Sequence, residues 1–317
     1  MSADGFWSIG ELAARAGVTV KTVRFYSDRG LLPAAGRSSG GHRRYGPGAL
    51  DRLRLIRSLR SLDLPVPDVE RVLDREDDLE DLVAERLSDL GTRLAALRWR
   101  EAALRSLQGC GPEERADRLR LIGAVAMPPD TTALARFWRR WLGPARLPAP
   151  LLAAVVDAAV PEPPAEPNPS RVLAFARLHA LVSGDCRAGA APHQPAAHRP
   201  DAGVRPAVLY AGLREAYDLA APELRAGRPP VAGEALDGFV SAYARAGGVR
   251  DIPAFRRLLG RRLAADPRID RYWDLVAELT APDSGPAEPT PGAAHDWLLA
   301  ALAGTSGEGP GPGGANG

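Results

Sequence analysis

The sequence predicts a mainly α protein in four parts. These are a winged helix-turn-helix N-terminal domain over residues 6–76, a long dimerisation coiled-coil helix over 77–109, an all-α C-terminal domain over 110–303 and a disordered tail over 304–317. Three observations predict it. Helix start and stop signals between Ile9 and Tyr45 give two short helices followed by a basic hairpin. A leucine seam runs from Val83 to Leu104, and beyond Gly111 few windows alternate with period two.

Ser8 can cap the first helix, and Glu11 can reach back to the Ser8 N–H, completing a capping box ahead of Ile9, Leu12, Ala13 and Ala16. Gly17 ends that helix, and Thr19 caps a second one running through Val20, Val23 and Tyr26 to Gly30. Gly17-Val18-Thr19 is therefore a three-residue turn between two helices. Val20 and Val23 are expected to face the first helix, leaving Lys21, Thr22, Arg24 and Phe25 or Tyr26 outward. Such a face suits a DNA major groove, because a helix N-terminus offers N–H groups to phosphates and Arg or Lys reach guanine edges. The competing reading is a helical hairpin with a solvated charged face. Next, Arg37 to Tyr45 sets a Gly40-Gly41 turn between polar arms and loads the returning arm with cations, as a wing would. Arg43 and Arg44 are then expected to hold the DNA backbone without reading sequence.

Residues 8–73 resemble the N-terminal domain of the MerR family of bacterial transcription regulators. The resemblance is carried by Thr22-Val23-Arg24-Phe25-Tyr26 in the place of the recognition helix, Gly30-Leu31-Leu32 at its exit and Gly41-His42-Arg43-Arg44-Tyr45 in the wing. The candidate DNA-binding set is Thr19, Lys21, Thr22, Arg24, Phe25, Tyr26, His42, Arg43, Arg44 and Tyr45. The resemblance implies a homodimer on a pseudo-palindromic site in double-stranded promoter DNA, distorting an overlong spacer so that RNA polymerase engages both promoter elements.

The family pattern continues into a second helical pair, where Leu50, Leu53, Ile56 and Leu59 mark a buried face and Arg52, Arg54, Arg57 and Arg60 lie off it. Three residues depart from the pattern: Asp63 replaces a turn glycine, Pro65 a capping serine, and Gly46 a commoner Ser, Thr or Asp cap. Asp tolerates a left-handed turn and proline suits a helix start, so the fold is expected to survive them. Val83, Leu87, Leu90, Leu94, Leu97 and Leu104 then alternate spacings of four and three, interrupted by Glu101. That is a seam for a paired helix, with an amphipathic helix packed on its own domain as the alternative. The resemblance implies dimerisation through an antiparallel coiled coil at this position.

Charge is divided along the chain. Residues 1–60 hold eleven Lys or Arg against four Asp or Glu, a net of +7, whereas residues 61–110 hold seven against twelve, a net of −5. An overall charge of +2 thus concentrates its positive field on the proposed DNA-binding module. No apolar run approaches a membrane span and the N-terminus lacks the order of a secretory signal, so the protein is expected to be cytoplasmic. Two cysteines, Cys110 and Cys186, give no disulfide framework. Some MerR-like regulators sense soft metals with clustered thiolates near the place of Cys110, but it has no Cys companion, so no metal or cofactor is expected. Cys186, His193 and His198 read as part of a polar loop.

Beyond Gly111 nine helices are expected, near 113–127, 131–142, 149–160, 169–183, 205–221, 231–246, 252–264, 267–280 and 293–302. In the resembled family this part is variable and senses an effector, so residues 110–303 are a candidate effector-binding domain for a small organic molecule. Phe137, Trp138, Trp141, Phe239, Tyr243, Tyr272 and Trp273 form the candidate effector pocket, since aromatic walls suit apolar ligands. Residues at such helical spacings also serve as ordinary core. No catalytic motif occurs, no catalytic residue is assigned and no enzyme is expected; His295-Asp296 reads as a surface or capping pair. Two alternatives stay open for the C-terminal part: sequestering a toxic ligand beside autoregulation, and docking a protein partner.

Overall fold

The computed structural model describes residues 5–75, 78–143, 147–187, 198, 203–263, 267–282, 284 and 287–306. The chain divides into two compact units, Met1–Gly91 and Thr92–Gly317.

The first unit runs β1 (Trp7–Ser8), α1 (Ile9–Ala16), α2 (Val20–Asp28), β2 (Gly36–Arg37), β3 (Arg43–Tyr45), α3 (Gly48–Ser61) and α4 (Val66–Asp74), followed by the start of α5 (Asp78–Ser106). Local chemistry sets each boundary. The Ser8 hydroxyl accepts from the Glu11 N–H at 3.2 Å, while the Glu11 carboxylate accepts from the Ser8 N–H at 2.7 Å. Those bonds hold the Glu11 carboxyl below its ordinary pKa. Gly17 leaves α1 with φ 64°, a left-handed step that costs glycine nothing, and Thr19 accepts the Thr22 N–H at 3.1 Å to start α2. Asp63 takes φ 58°, and Pro65 sits at the N-cap of α4. Pro47, one residue after Gly46, occupies the N-cap of α3.

Leu12, Val23, Leu32, Tyr45, Leu53, Ile56 and Val69 fill one core. Three arginines of α3 close its polar edges: Arg57 donates to the Ala16 carbonyl at the end of α1, Arg52 to the Leu31 carbonyl at 2.6 Å, and Arg60 to the Leu64 carbonyl. Each satisfies a carbonyl that a helix end or turn leaves open. The sheet has order β1-β3-β2, all antiparallel, with Trp7 opposite Tyr45 and Gly36 opposite Arg44. β1 has no signature in the sequence, since two residues are too few for alternation to register.

Among the described residues, every regular element of the second unit is a helix. It contains α6 (Pro112–Gly123), α7 (Thr132–Leu142), α8 (Ala149–Ala159), α9 (Pro169–Arg187), α10 (Pro206–Arg225), α11 (Glu234–Gly247), α12 (Pro253–Leu263), α13 (Pro267–Thr280) and α14 (Pro291–Ser306). The largest boundary differences, of four residues each, fall in four places. The first helix stops at Gly123, α9 continues past Ser183, α10 passes through Pro222, and α14 runs on to Ser306, making Gly304–Ser306 helical instead of tail. Residues 307–317 lie outside those described. Trp99, Ala102 and Ala103 on α5 join the core of this unit, with the Trp99 ring edge-on to Phe175 at 5.6 Å. α10 and α11 cross at Gly212, where a Cβ would lie 2.7 Å from that of Ala242. Among the described residues, no helix is long and apolar enough to cross a membrane.

Candidate functional site

The candidate DNA-facing residues begin on α2. Lys21 and Arg24 are exposed, and Thr22, half-buried, holds its hydroxyl 2.9 Å from that of Thr19. The two adjacent aromatics separate: Phe25 is 42% exposed and Tyr26 only 8%. Val23 is buried against the core as expected, but Val20 is exposed and does not face α1, because it begins the helix beyond the reach of that contact. The exposed face is therefore Thr19, Val20, Lys21, Arg24 and Phe25, and Tyr26 belongs to the core.

The wing also departs from the predicted set. Gly41 has φ 79° and donates to the Ser38 carbonyl at 2.8 Å, making the turn that leaves His42 exposed. Tyr45 is fully buried, its hydroxyl 3.0 Å from that of Ser27, because pairing with Trp7 turns its side chain into the core. It anchors the wing from inside and cannot touch DNA. Arg43 pairs with Asp28, which makes its guanidinium harder to deprotonate, and Arg44 donates to the Phe6 carbonyl at 3.0 Å. Both were expected to hold the DNA backbone, and each has a partner within the chain. Arg37 on β2 is exposed and was outside the predicted set, although it opens the same basic run. Arg29 lies 4.8 Å over the Phe25 ring, stiffening the exposed aromatic.

On α5, Val83, Leu87, Leu90, Leu94, Leu97 and Leu104 are all exposed, from 40% at Val83 to 67% at Leu104. Leu82 and Trp99 on the same helix are buried, so α5 carries one covered face and one bare apolar face.

The second unit holds a cavity of about 990 Å³ that is open to solvent on one side. Of the seven aromatics proposed for a pocket, Trp138, Trp141 and Trp273 line it, and Phe137, Phe239, Tyr243 and Tyr272 do not. Phe137 stacks on Tyr272 at 6.0 Å, Tyr272 donates to the Ala159 carbonyl at 2.7 Å, and Phe239 is fully buried beside Tyr243. Trp273 packs tightly on α14, since a Cβ on Gly292 would fall 2.2 Å from its Cγ.

Polar residues that sequence reasoning missed complete the wall. Tyr217 and His295 line the cavity with the Tyr217 hydroxyl 2.9 Å from His295 Nδ1. His198 places Nδ1 3.2 Å from the Tyr210 hydroxyl and Nε2 2.8 Å from that of Tyr243. Burial pushes the His198 pKa down to about 3 and that of His295 down to about 4, and it raises those of Tyr210 and Tyr217. All four are therefore neutral near pH 7. His295 is not the surface residue its position near the C-terminus suggested, and His198 is not a residue of a solvated loop. Cys186 and His193, read together with His198, have side chains outside those described. One signal was available: Tyr210 and Tyr217 lie seven residues apart on α10, hence on one face. The charged residues that line the cavity, Arg214, Asp218, Arg257, Arg261, Asp270 and Asp296, are all exposed and mark its mouth. Reduced hydration of its carboxyl, and the nearby Asp270 and Asp274, raise the Asp296 pKa.

Comparison with known proteins assigns the first unit. Residues 7–76 match the family described as MerR HTH family regulatory protein. The nodulation protein NolA of Bradyrhizobium sp. (strain NC92) is 39% identical over 89 residues, 28% of this chain and 38% of that protein. The HTH-type transcriptional activator TipA of Streptomyces coelicolor is 47% identical over 68 residues, 22% and 27% of the two chains. The mercuric resistance operon regulatory protein of Bacillus cereus is 30% identical over 114 residues, 34% of this chain and 86% of that protein. The chain thus spans less than half the length of NolA and of TipA.

Proposed function

This chain belongs to the MerR family of helix-turn-helix, DNA-binding transcription regulators, and from that premise we propose that it is a homodimeric, effector-responsive regulator of a promoter. In this reading residues 6–76 bind a pseudo-palindromic site, residues 77–109 pair two copies, and residues 110–303 bind a small organic effector. The output is a change of promoter shape that sets how RNA polymerase engages it, driven by backbone contacts and dimer geometry.

The cavity of about 990 Å³ carries the reading. It opens to solvent at its charged rim and reaches in to buried Trp138, Trp141 and Tyr210, the concave form that small-molecule sites take. Its size falls at the upper end of the range for small-molecule sites, roughly 300–1,000 Å³, and its mix of tryptophan with a few convergent polar groups is typical of them. The exposed leucine face of α5 supports the dimer, because an unpartnered apolar stripe this long is costly in water.

Footprinting on the DNA upstream of its own coding sequence, with and without a compound found by thermal shift, tests the whole scheme. A compound present at a hundred times its dissociation constant stabilises the fold by about 2.7 kcal/mol. The reading requires a two-fold footprint whose cleavage pattern changes with that compound. Binding of the compound with an unaltered footprint would point instead to sequestration, and a footprint without symmetry would refute the dimer.

A further inference from the structure

The cavity sorts its polar groups by depth. Its charged residues are exposed, while Trp138, Trp141 and Tyr210 are buried and the four tyrosine and histidine side chains at that end are neutral. Resting on the reading of this cavity as an effector site, we propose that its ligand is an uncharged, drug-sized aromatic molecule bearing a carbonyl or hydroxyl oxygen. The Tyr217–His295 pair, and Tyr210 backed by His198, receive that oxygen, and the tryptophans pack on its rings.

Proton accounting supports the choice of an oxygen acceptor. A neutral imidazole has one N–H and one bare lone pair. The Tyr217–His295 pair therefore holds two polar protons but uses one in its mutual bond, whichever tautomer forms. One donor is left over. The same count applied to His198 between Tyr210 and Tyr243 gives three protons and two bonds, again leaving one. If Tyr243 accepted from His198, the spare proton would sit on Tyr243, which is buried, does not line the cavity and has His198 as its hydrogen-bond partner among the described residues. An unsatisfied donor there is costly, so Tyr243 donates, His198 Nδ1–H donates to Tyr210, and the spare proton rests on the Tyr210 hydroxyl at the cavity wall. Both spare donors thus belong to residues lining the cavity, and a ligand acceptor satisfies them.

The same wall disfavours charge at its buried end. An ionic group carried past the exposed Arg and Asp residues would lose its hydration and meet no counter-charge among the four neutral groups, a penalty that hydrogen bonds to neutral partners do not offset. The three indoles in the lining offer flat apolar surface, which an extended ring system covers better than a branched aliphatic chain.

Equilibrium dialysis of the full-length protein against anthraquinone, anthracene, anthraquinone sulfonate and aminoacridinium tests this. Tyr217→Phe is expected to weaken anthraquinone binding on the order of tenfold and leave anthracene, which has no acceptor, unchanged. Tyr210→Phe provides a second hydroxyl deletion on a different pair. In the unmodified protein both charged probes are expected to bind on the order of tenfold more weakly than anthraquinone, and this ranking needs no variant to fold. Equal losses for anthraquinone and anthracene in both variants, or a charged probe that binds as tightly as anthraquinone, would overturn the inference while leaving an effector cavity in place. Binding of none of the four would overturn the effector reading as well.

Discussion

Truncating Leu90 and Leu94 together to alanine probes the proposed pairing without touching either core. Both side chains lie on the bare face of α5, 58% and 47% exposed, so the isolated chain has little packing to lose there. A Leu→Ala change removes three carbons, worth about 2.4 kcal/mol when fully buried, and the half of each side chain that a partner would newly cover is worth about 1.2 kcal/mol. A dimer carries four such truncations, for a total of about 5 kcal/mol, or a thousandfold to ten-thousandfold in the dissociation constant. Sedimentation equilibrium across a concentration series reads that constant directly. The melting temperature measured where the unmodified chain is already monomeric should scarcely move, because alanine favours helix and the lost surface faced water. An unchanged dimer constant in the double variant would mean that another surface holds the copies together. A collapse of the monomer's melting point would mean that this face packs within the chain.

Three further outcomes follow from the first unit and the cavity. Ser8→Ala removes the hydroxyl that accepts the Glu11 N–H, while the Ser8 N–H keeps its bond to the Glu11 carboxylate, and is expected to cost about 1 kcal/mol, seen as a fall of a few degrees in the melting of the DNA-binding unit; no change would show that the hydroxyl is dispensable. Asp28→Asn removes the carboxylate paired with Arg43 and should strengthen binding to random DNA and steepen its salt dependence, whereas Arg24→Ala should cost mainly sequence discrimination; equal effects of both on specific and random duplexes would dissolve that division. His198 and His295 are held near about 3 and about 4 by burial. The unfolded chain, with histidines near 6.5, therefore takes up protons that the folded one refuses. Stability is full above pH 6.5 and falls below it by up to about 1.4 kcal/mol per pH unit for each histidine, so a melting temperature that stayed flat from about pH 7 to about pH 5 would contradict this.

The first unit was readable because its boundaries are local. Ser8 with Glu11, Gly17 and Thr19 each act within a few residues of themselves, and Asp63 could be placed in a left-handed turn from its chemistry alone. What misled was any choice that depended on a neighbour far along the chain. Phe25 and Tyr26 differ by one step around a helix, and only the packing of Tyr26 under Leu32 and Tyr45 in one core decides between them. Tyr45 looked like a wing residue because its partner Trp7 lies in a strand of two residues that leaves no pattern. The cavity was legible only by half. Three tryptophans could be named from their helices, but one helical face of α7 serves both core and cavity, which no spacing distinguishes. The polar wall draws on His198, on α10 and on α14, segments that only the tertiary fold brings together.

Charge in the first unit shows the same separation between what a count tells and what contacts do. Its net of +7 over residues 1–60 suggests a broad cationic surface. The structure spends much of it internally: Arg52, Arg57 and Arg60 close carbonyls around α3, Arg44 holds the Phe6 carbonyl, and Arg43 faces Asp28. A guanidinium bound to a neutral carbonyl keeps its charge, so Arg44, Arg57 and Arg60 still contribute in full to the field around this unit, whereas Arg43 faces Asp28 and Arg52 also lies 3.9 Å from Asp74. Short-range positioning is a different matter, since it needs donors that can leave water for a phosphate or a base edge. Lys21 and Arg24 on α2 and Arg37 on β2 stand exposed on the helix and wing that the family uses. The arginines of α3 thus do two jobs at different ranges. They cap the helix-turn-helix locally, and at longer range they supply the positive potential in which a smaller set of outward cations can act.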